Sequence, residues 1–199
     1  MSAVHAMAAG LPDAVSASQQ AFRAVMDALA RPGQIRVIGP ALPDVVLGGA
    51  SARLLLSLCD EETPVWWQDA DARLQSWLQF HTGARVTQRP NDASFAVLSL
   101  LDEAPALADF ALGSSESPEF STTLFVELPA LHGGPELEWR GPGIEDVQRV
   151  GLMGVPSWFW SQWQANHAAF PRAVDIVFTC GDRVMGLPRT TRVRRLEGV

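Results

Sequence analysis

The chain has no lysine and no tyrosine among its 199 residues, and all 15 of its basic residues are arginine. Without lysine the chain cannot form the Schiff base that pyridoxal-phosphate enzymes use. It also cannot supply the Walker lysine that reaches the phosphates of ATP. Arginine stays available, and its permanently charged guanidinium pairs with phosphoryl oxygens through two parallel hydrogen bonds. Two large enzyme classes are therefore excluded, whereas recognition of an anionic group is not.

Cysteine is scarce as well, since Cys59 and Cys180 are the two in the chain and lie far apart. A disulfide framework needs more cysteines, so two free thiols in a reducing compartment are predicted. The N-terminus has no basic cluster followed by a long apolar core, and no apolar run reaches the roughly 18 residues of a membrane span. These absences predict a cytoplasmic protein that does not use a membrane.

The net charge of −7 and the pI of about 5.0 argue against a nucleic-acid partner. A local basic strip near the C-terminus is the exception. Its arginines fit either a solvated edge strand or a surface for an anionic ligand or an acidic partner. The strip contains Arg189, Arg192, Arg194 and Arg195.

Helical and strand patterns alternate in the first half of the chain, and the second half has shorter strands typical of antiparallel pairing. This order predicts an α/β fold of three layers, in which helices cover both faces of a mixed sheet. One domain is predicted over residues 15–199, after a flexible N-terminal tail at 1–14. The predicted helices cover 18–30, 51–58, 71–80, 104–112 and 157–169, with Gly83 as a left-handed cap. The predicted strands cover 34–38, 64–67, 95–100, 122–128, 136–139, 174–179 and 184–187.

The candidate ligand-binding residues are Arg189, Thr190 and Thr191, with His81 as a further candidate. Two hydroxyls beside an arginine provide the donors that a phosphoryl oxygen needs, and His81 stands beside a glycine-containing turn. The alternative for the Arg-Thr-Thr segment is an edge strand, to which threonine is suited. No histidine has a second ligand at metal-binding spacing, so no metal and no cofactor are expected.

Three tryptophans and a phenylalanine crowd into one short segment, and the sequence predicts a helix there. So many large rings are not expected to reach one core from one helix, and tryptophan is enriched at protein interfaces. The sequence therefore predicts a contact with another subunit through Trp158, Trp160 and Trp163.

Seven short motifs follow one another over about residues 15–194. They are Phe22-Arg23-x-Val25-Met26 with Arg31-Pro32-Gly33, Thr63-Pro64-Val65-Trp66, Phe80-His81-Thr82-Gly83-Ala84, Gly141-Pro142-Gly143-Ile144, Phe170-Pro171-x-x-Val174-Asp175, Phe178-Thr179-Cys180-Gly181-Asp182-Arg183, and Pro188-Arg189-Thr190-Thr191. This ordered set is specific, and it resembles the PhnH family, the accessory subunits of the bacterial carbon–phosphorus lyase core complex.

The resemblance implies a fold like that of the pyridoxal-phosphate-dependent transferases but without the cofactor, which agrees with the missing lysine. It also implies a subunit that is not catalytic alone and that supports formation of α-D-ribose 1-phosphonate 5-triphosphate from ATP and a phosphonate. The implied partners are the nucleosidase and radical iron–sulfur subunits of the complex, with a homodimer in isolation. No catalytic residue carries over. The alternative is a stand-alone enzyme that binds a phosphonate or nucleotide through the C-terminal Arg/Thr segment.

Overall fold

The structure is a computed structural model, and it describes residues 8–40, 42, 48–69 and 71–196. Residues 1–7 of the predicted tail therefore lie outside the described residues. The helices are α1 (Ala14–Ala30), α2 (Gly49–Leu58), α3 (Ala72–Thr82) and α4 (Phe159–Ala168). The strands are β1 (Ile35–Val37), β2 (Val65–Trp67), β3 (Val86–Thr87), β4 (Phe95–Leu98), β5 (Thr123–Glu127), β6 (Leu137–Arg140), β7 (Gln148–Val150), β8 (Asp175–Cys180), β9 (Arg183–Leu187) and β10 (Arg192–Arg195). Among the described helices, none combines the length and apolar composition that a membrane crossing requires.

A mixed sheet of seven strands forms the centre of the fold, in the order β1-β9-β8-β5-β4-β2-β3. The pairs β2–β3, β2–β4, β4–β5 and β5–β8 are parallel. The pairs β8–β9 and β1–β9 are antiparallel. The sheet thus combines parallel and antiparallel pairs, and the predicted mixed α/β sheet is confirmed.

Helices α1, α2 and α3 contribute to the apolar core on one face of this sheet, where Phe125 and Val177 point towards them. The close approach of α1 requires Gly186 in β9, because an added Cβ there would lie 2.5 Å from the Ala28 carbonyl oxygen. The end of α3 is as predicted: Gly83 adopts the left-handed conformation with φ of 78°.

The other face is covered by α4 together with a three-stranded antiparallel sheet in the order β10-β6-β7. Ile176 and Phe178 of the large sheet belong to this core, as does Trp139 of the small one. The small sheet was not predicted because β7 buries only Val150 and β10 buries only Val193. One buried side chain gives no alternating pattern to read.

The predicted helix over 104–112 is wrong, because this region holds only one short 3-10 helix, Leu107–Asp109, and another, Leu101–Glu103, precedes it. Pro105 has no N–H, and the residue before it, Ala104, is extended with ψ of 149°. The Ala106 N–H then donates to the Asp109 carboxylate at 2.9 Å. The other predicted helices are present, with their ends displaced by a few residues.

Candidate functional site

The Arg189 guanidinium is largely buried just after the end of β9, and each of its five N–H groups has an acceptor. Its Nε donates to both carboxylate oxygens of Asp175 at 3.1 Å, and Nη2 reaches Asp175 Oδ2 and Ser121 Oγ at 2.5 Å each. Its Nη1 donates to the carbonyls of Pro118 and Pro171, both at 3.0 Å. We call these five residues the Arg189 clasp. The clasp ties the start of β8 to two loops and leaves no donor for a ligand.

The two threonines after Arg189 do not present a pair of hydroxyls to one open surface. Thr191 has no exposed surface, and its carbonyl accepts a hydrogen bond of 3.0 Å from Trp163 Nε1. The Thr191 hydroxyl has no hydrogen-bond partner among the described residues. Thr190 is half-buried. Binding of an anion by Arg189 and Thr191 would therefore require the clasp and the core around Thr191 to open.

His81 is on the opposite face of the large sheet from this segment, because it belongs to α3. Its Nε2 lies 3.1 Å from the carbonyl oxygen of Ala8. The ring packs edge-on against Trp77 and Phe80, at centroid distances of 5.4 and 5.0 Å. None of these contacts is shared with the Arg189 clasp. His81 and the Arg-Thr-Thr segment thus do not form one site.

The tryptophans of the α4 region do not share one environment. Trp163 is fully buried and Trp160 is 5% exposed, whereas Trp158 is 39% exposed. Three of the four rings reach the core, because the small sheet and Phe178 extend it beneath α4, and Trp158 is the ring that stays outside. A ring without exposed area has nothing to present to another subunit. Of the three predicted interface residues, Trp158 is the one with surface for a partner.

The basic strip is divided, because Arg189 belongs to the clasp and the other three arginines lie on β10, an edge strand of the small sheet. Arg194 donates to Glu138 on the neighbouring strand at 2.5 Å, and this hydrogen bond lowers the pKa of the Glu138 carboxyl. Arg192 contacts His167 at 3.4 Å. The three arginines of β10 are exposed on this edge strand, so a surface for an anionic ligand or an acidic partner stays a prediction.

A polar cluster that the sequence did not indicate lies at the carboxyl ends of the parallel strands, where open α/β sheets usually bind ligands. Glu127 ends β5 and accepts a hydrogen bond of 3.0 Å from the Gly48 N–H at the start of α2. Ser51 bonds to Glu127, and its hydroxyl lies 3.0 Å from that of Thr179. Burial raises the pKa of Glu127, and the bonds from Ser51 and Gly48 offset part of that rise. The signal was a carboxylate inside the predicted strand 122–128.

Glu127→Gln is expected to gain stability relative to the wild type as the pH rises. The pKa of Glu127 in the folded state is raised above its ordinary 4.5. The stability that Glu127 contributes is therefore fully present below pH 4.5 and is lost as the pH rises through the raised pKa. Glutamine keeps an acceptor for Gly48 but never ionises. Urea unfolding of both proteins from about pH 4 to about pH 8 measures the difference. A pH-independent difference would contradict this account of Glu127.

The fold and the site define a mixed α/β domain in which the predicted ligand-binding arginine is bonded to acceptors from within the chain. The family model described as bacterial phosphonate metabolism protein (PhnH) matches residues 9–194. The chain belongs to this family, as its motifs predicted.

Two curated relatives match most of the chain. The first is the alpha-D-ribose 1-methylphosphonate 5-triphosphate synthase subunit PhnH of Rhizobium meliloti, which is 44% identical over 186 residues. That match covers 92% of this chain and 93% of the relative. The second is the putative C-P lyase subunit protein HtxG of Stutzerimonas stutzeri, 30% identical over 178 residues, covering 88% and 85% of the two chains.

Proposed function

We propose that this chain is a subunit of a synthase that forms an α-D-ribose 1-phosphonate 5-triphosphate from ATP and a phosphonate, and that it has no catalysis of its own. The observation that carries the proposal is the 44% identity to a named synthase subunit over nearly the whole of both chains. The Arg189 clasp supports it, because the phosphonate-binding residue expected of a stand-alone enzyme has five internal acceptors instead.

We further propose the partners, the oligomeric state, the cellular location and the fold family of this chain. The partners are the nucleosidase and radical iron–sulfur subunits of the carbon–phosphorus lyase core complex, and the chain is a homodimer when isolated. It works in the cytoplasm as one domain over residues 15–199 after a tail at 1–14. Its fold is that of the pyridoxal-phosphate-dependent transferases without the cofactor, for which the chain has no lysine.

The second candidate function is a stand-alone enzyme or binding protein for a phosphonate or nucleotide. It uses Arg189, Thr190 and Thr191, with His81 contributing separately. This candidate requires the Arg189–Asp175 ion pair to exchange its carboxylate for the ligand, and each buried bond lost in that exchange costs about 1.5–3 kcal/mol. The subunit function needs no such exchange.

Calorimetric titration of the isolated chain separates the two candidates. The subunit proposal predicts no detectable heat of binding with methylphosphonate, ATP or both together. Co-expression with the other synthase subunits is the paired measurement, and there the chain is expected to co-purify in a fixed ratio. Micromolar binding of methylphosphonate or ATP by the isolated chain, combined with no co-purification, would favour the stand-alone function.

A further inference from the structure

A cleft of about 280 Å³ lies between α4 and the segment at 106–112. Its walls are mostly apolar, and three residues of α4 and the loop after it form one side. The lining residues are Ala106, Leu107, Ala108, Leu112, Gln162, Ala165, Asn166, Ala169 and Arg172. The cleft belongs neither to the Arg189 clasp nor to the polar cluster around Glu127.

Two of the three polar side chains in this cleft hydrogen-bond to the backbone. Gln162 accepts a hydrogen bond of 2.9 Å from the Leu107 N–H. Asn166 bonds to both the N–H and the carbonyl of Val174, at 2.9 and 3.0 Å. Arg172 is exposed, and its guanidinium has no ion pair or hydrogen bond within the parts of the chain that the structure describes. The cleft therefore combines apolar walls with one uncompensated positive charge.

Two exposed aromatic residues stand in chain segments that adjoin the cleft, Phe120 at 74% and Phe170 at 57% exposure. Their loops meet at one atom, because Arg189 Nη1 bonds the carbonyls of both Pro118 and Pro171. Phe120 is next to Ser121, which bridges to Leu112 in the cleft wall. Phe170 directly follows Ala169, which lines the cleft. We call the cleft, Arg172 and these two neighbouring phenylalanines the cleft surface.

We propose that the cleft surface is the docking site for another subunit of the synthase, and that it receives a segment in which an apolar side chain stands beside an aspartate or glutamate. The apolar side chain fills the cleft and covers Phe120 and Phe170, while the carboxylate pairs with Arg172. Charge complementarity favours this occupant, because the Arg172 guanidinium beside the apolar walls has no anion paired with it. Aromatic and arginine side chains are also those that dominate binding energy at interfaces. The inference rests on the proposed function, since it needs a partner subunit.

The test is co-purification of the nucleosidase and radical iron–sulfur subunits with the tagged chain after co-expression. Arg172→Glu reverses the charge and Ala165→Trp fills the cleft. Both positions are exposed, so folding is expected to persist, and thermal unfolding checks that. Each variant is expected to lose partner binding by about tenfold or more. Arg172→Lys keeps the charge and is expected to bind more strongly than Arg172→Glu.

Matched controls come from exposed positions outside the cleft surface. Gln164→Trp places the same ring on α4, one residue from Ala165, and Arg73→Glu makes the same charge reversal on α3. Both are expected to bind as the wild type does. If Arg172→Glu and Ala165→Trp also bind as the wild type does, this inference is overturned while the proposed function stands. If the variants weaken only the homodimer and bind both partner subunits normally, the cleft surface contacts a second copy of this chain and the inference is overturned. Failure of the wild type itself to co-purify overturns both.

Discussion

Arg189→Ala is expected to lower the free energy of unfolding by about 3 kcal/mol or more, because it leaves a buried carboxylate without its cation. The Arg189 and Asp175 side chains are only 13% and 20% exposed, so water compensates little of the loss. The carbonyls of Pro118 and Pro171 and the hydroxyl of Ser121 lose their donor as well. Urea unfolding followed by far-ultraviolet circular dichroism measures the change.

Arg172→Ala is the matched control, because it removes the same side chain at an exposed position where the guanidinium has no hydrogen-bond or ion-pair partner among the described residues. Its effect is expected to stay within about 0.5 kcal/mol. The free energy of unfolding of Arg189→Lys is expected to lie between those of Arg189→Ala and Arg172→Ala, since lysine keeps the charge but cannot supply five donors in a fork. A stable Arg189→Ala protein would contradict the structural role of the clasp and return Arg189 to the ligand-binding hypothesis.

Trp163→Ala is expected to cost about 3–5 kcal/mol of unfolding free energy, because it opens a large cavity in the core beneath α4. Trp163 has no exposed surface, and its indole N–H donates to Thr191. Urea unfolding followed by far-ultraviolet circular dichroism measures this loss as well. Because this substitution destabilises the folded chain, a loss of partner binding in Trp163→Ala would reflect lost stability and would not place Trp163 in an interface.

Trp158→Ala provides the comparison, since this ring is partly exposed, packs edge-on against Phe159 and donates only one long hydrogen bond of 3.4 Å, to Asp102. It is expected to cost well under about 1 kcal/mol. Loss of partner binding in a fully stable Trp158→Ala protein would place Trp158 in an interface. Equal stability of Trp163→Ala and the wild type would show that Trp163 does not support the core.

The elements that could be predicted from the sequence are those whose pattern is local. The helix α1 has an apolar face with the helical repeat, and Gly83 is placed where only a left-handed cap fits. Central strands such as β8 are apolar on both faces, which indicates burial under two layers. These features need no knowledge of distant residues.

The features that could not be predicted depend on contacts between distant parts of the chain. Arg189 finds its acceptors at Pro118 and Ser121, which are 71 and 68 residues away. The burial of Trp163 depends on a small sheet whose outer strands each bury only one side chain. The Glu127 cluster joins three segments, and its Ser51–Thr179 contact alone spans 128 residues. No local pattern carries such information.

The most direct test of the central claim is reconstitution of the synthase from purified subunits with and without this chain, with the product followed by phosphorus nuclear magnetic resonance. The account predicts the ribose 1-phosphonate triphosphate when all subunits are mixed with ATP and methylphosphonate. It predicts none from this chain alone, and a severe loss when only this chain is left out. Product formation by the isolated chain, or an undiminished rate without it, would contradict the claim.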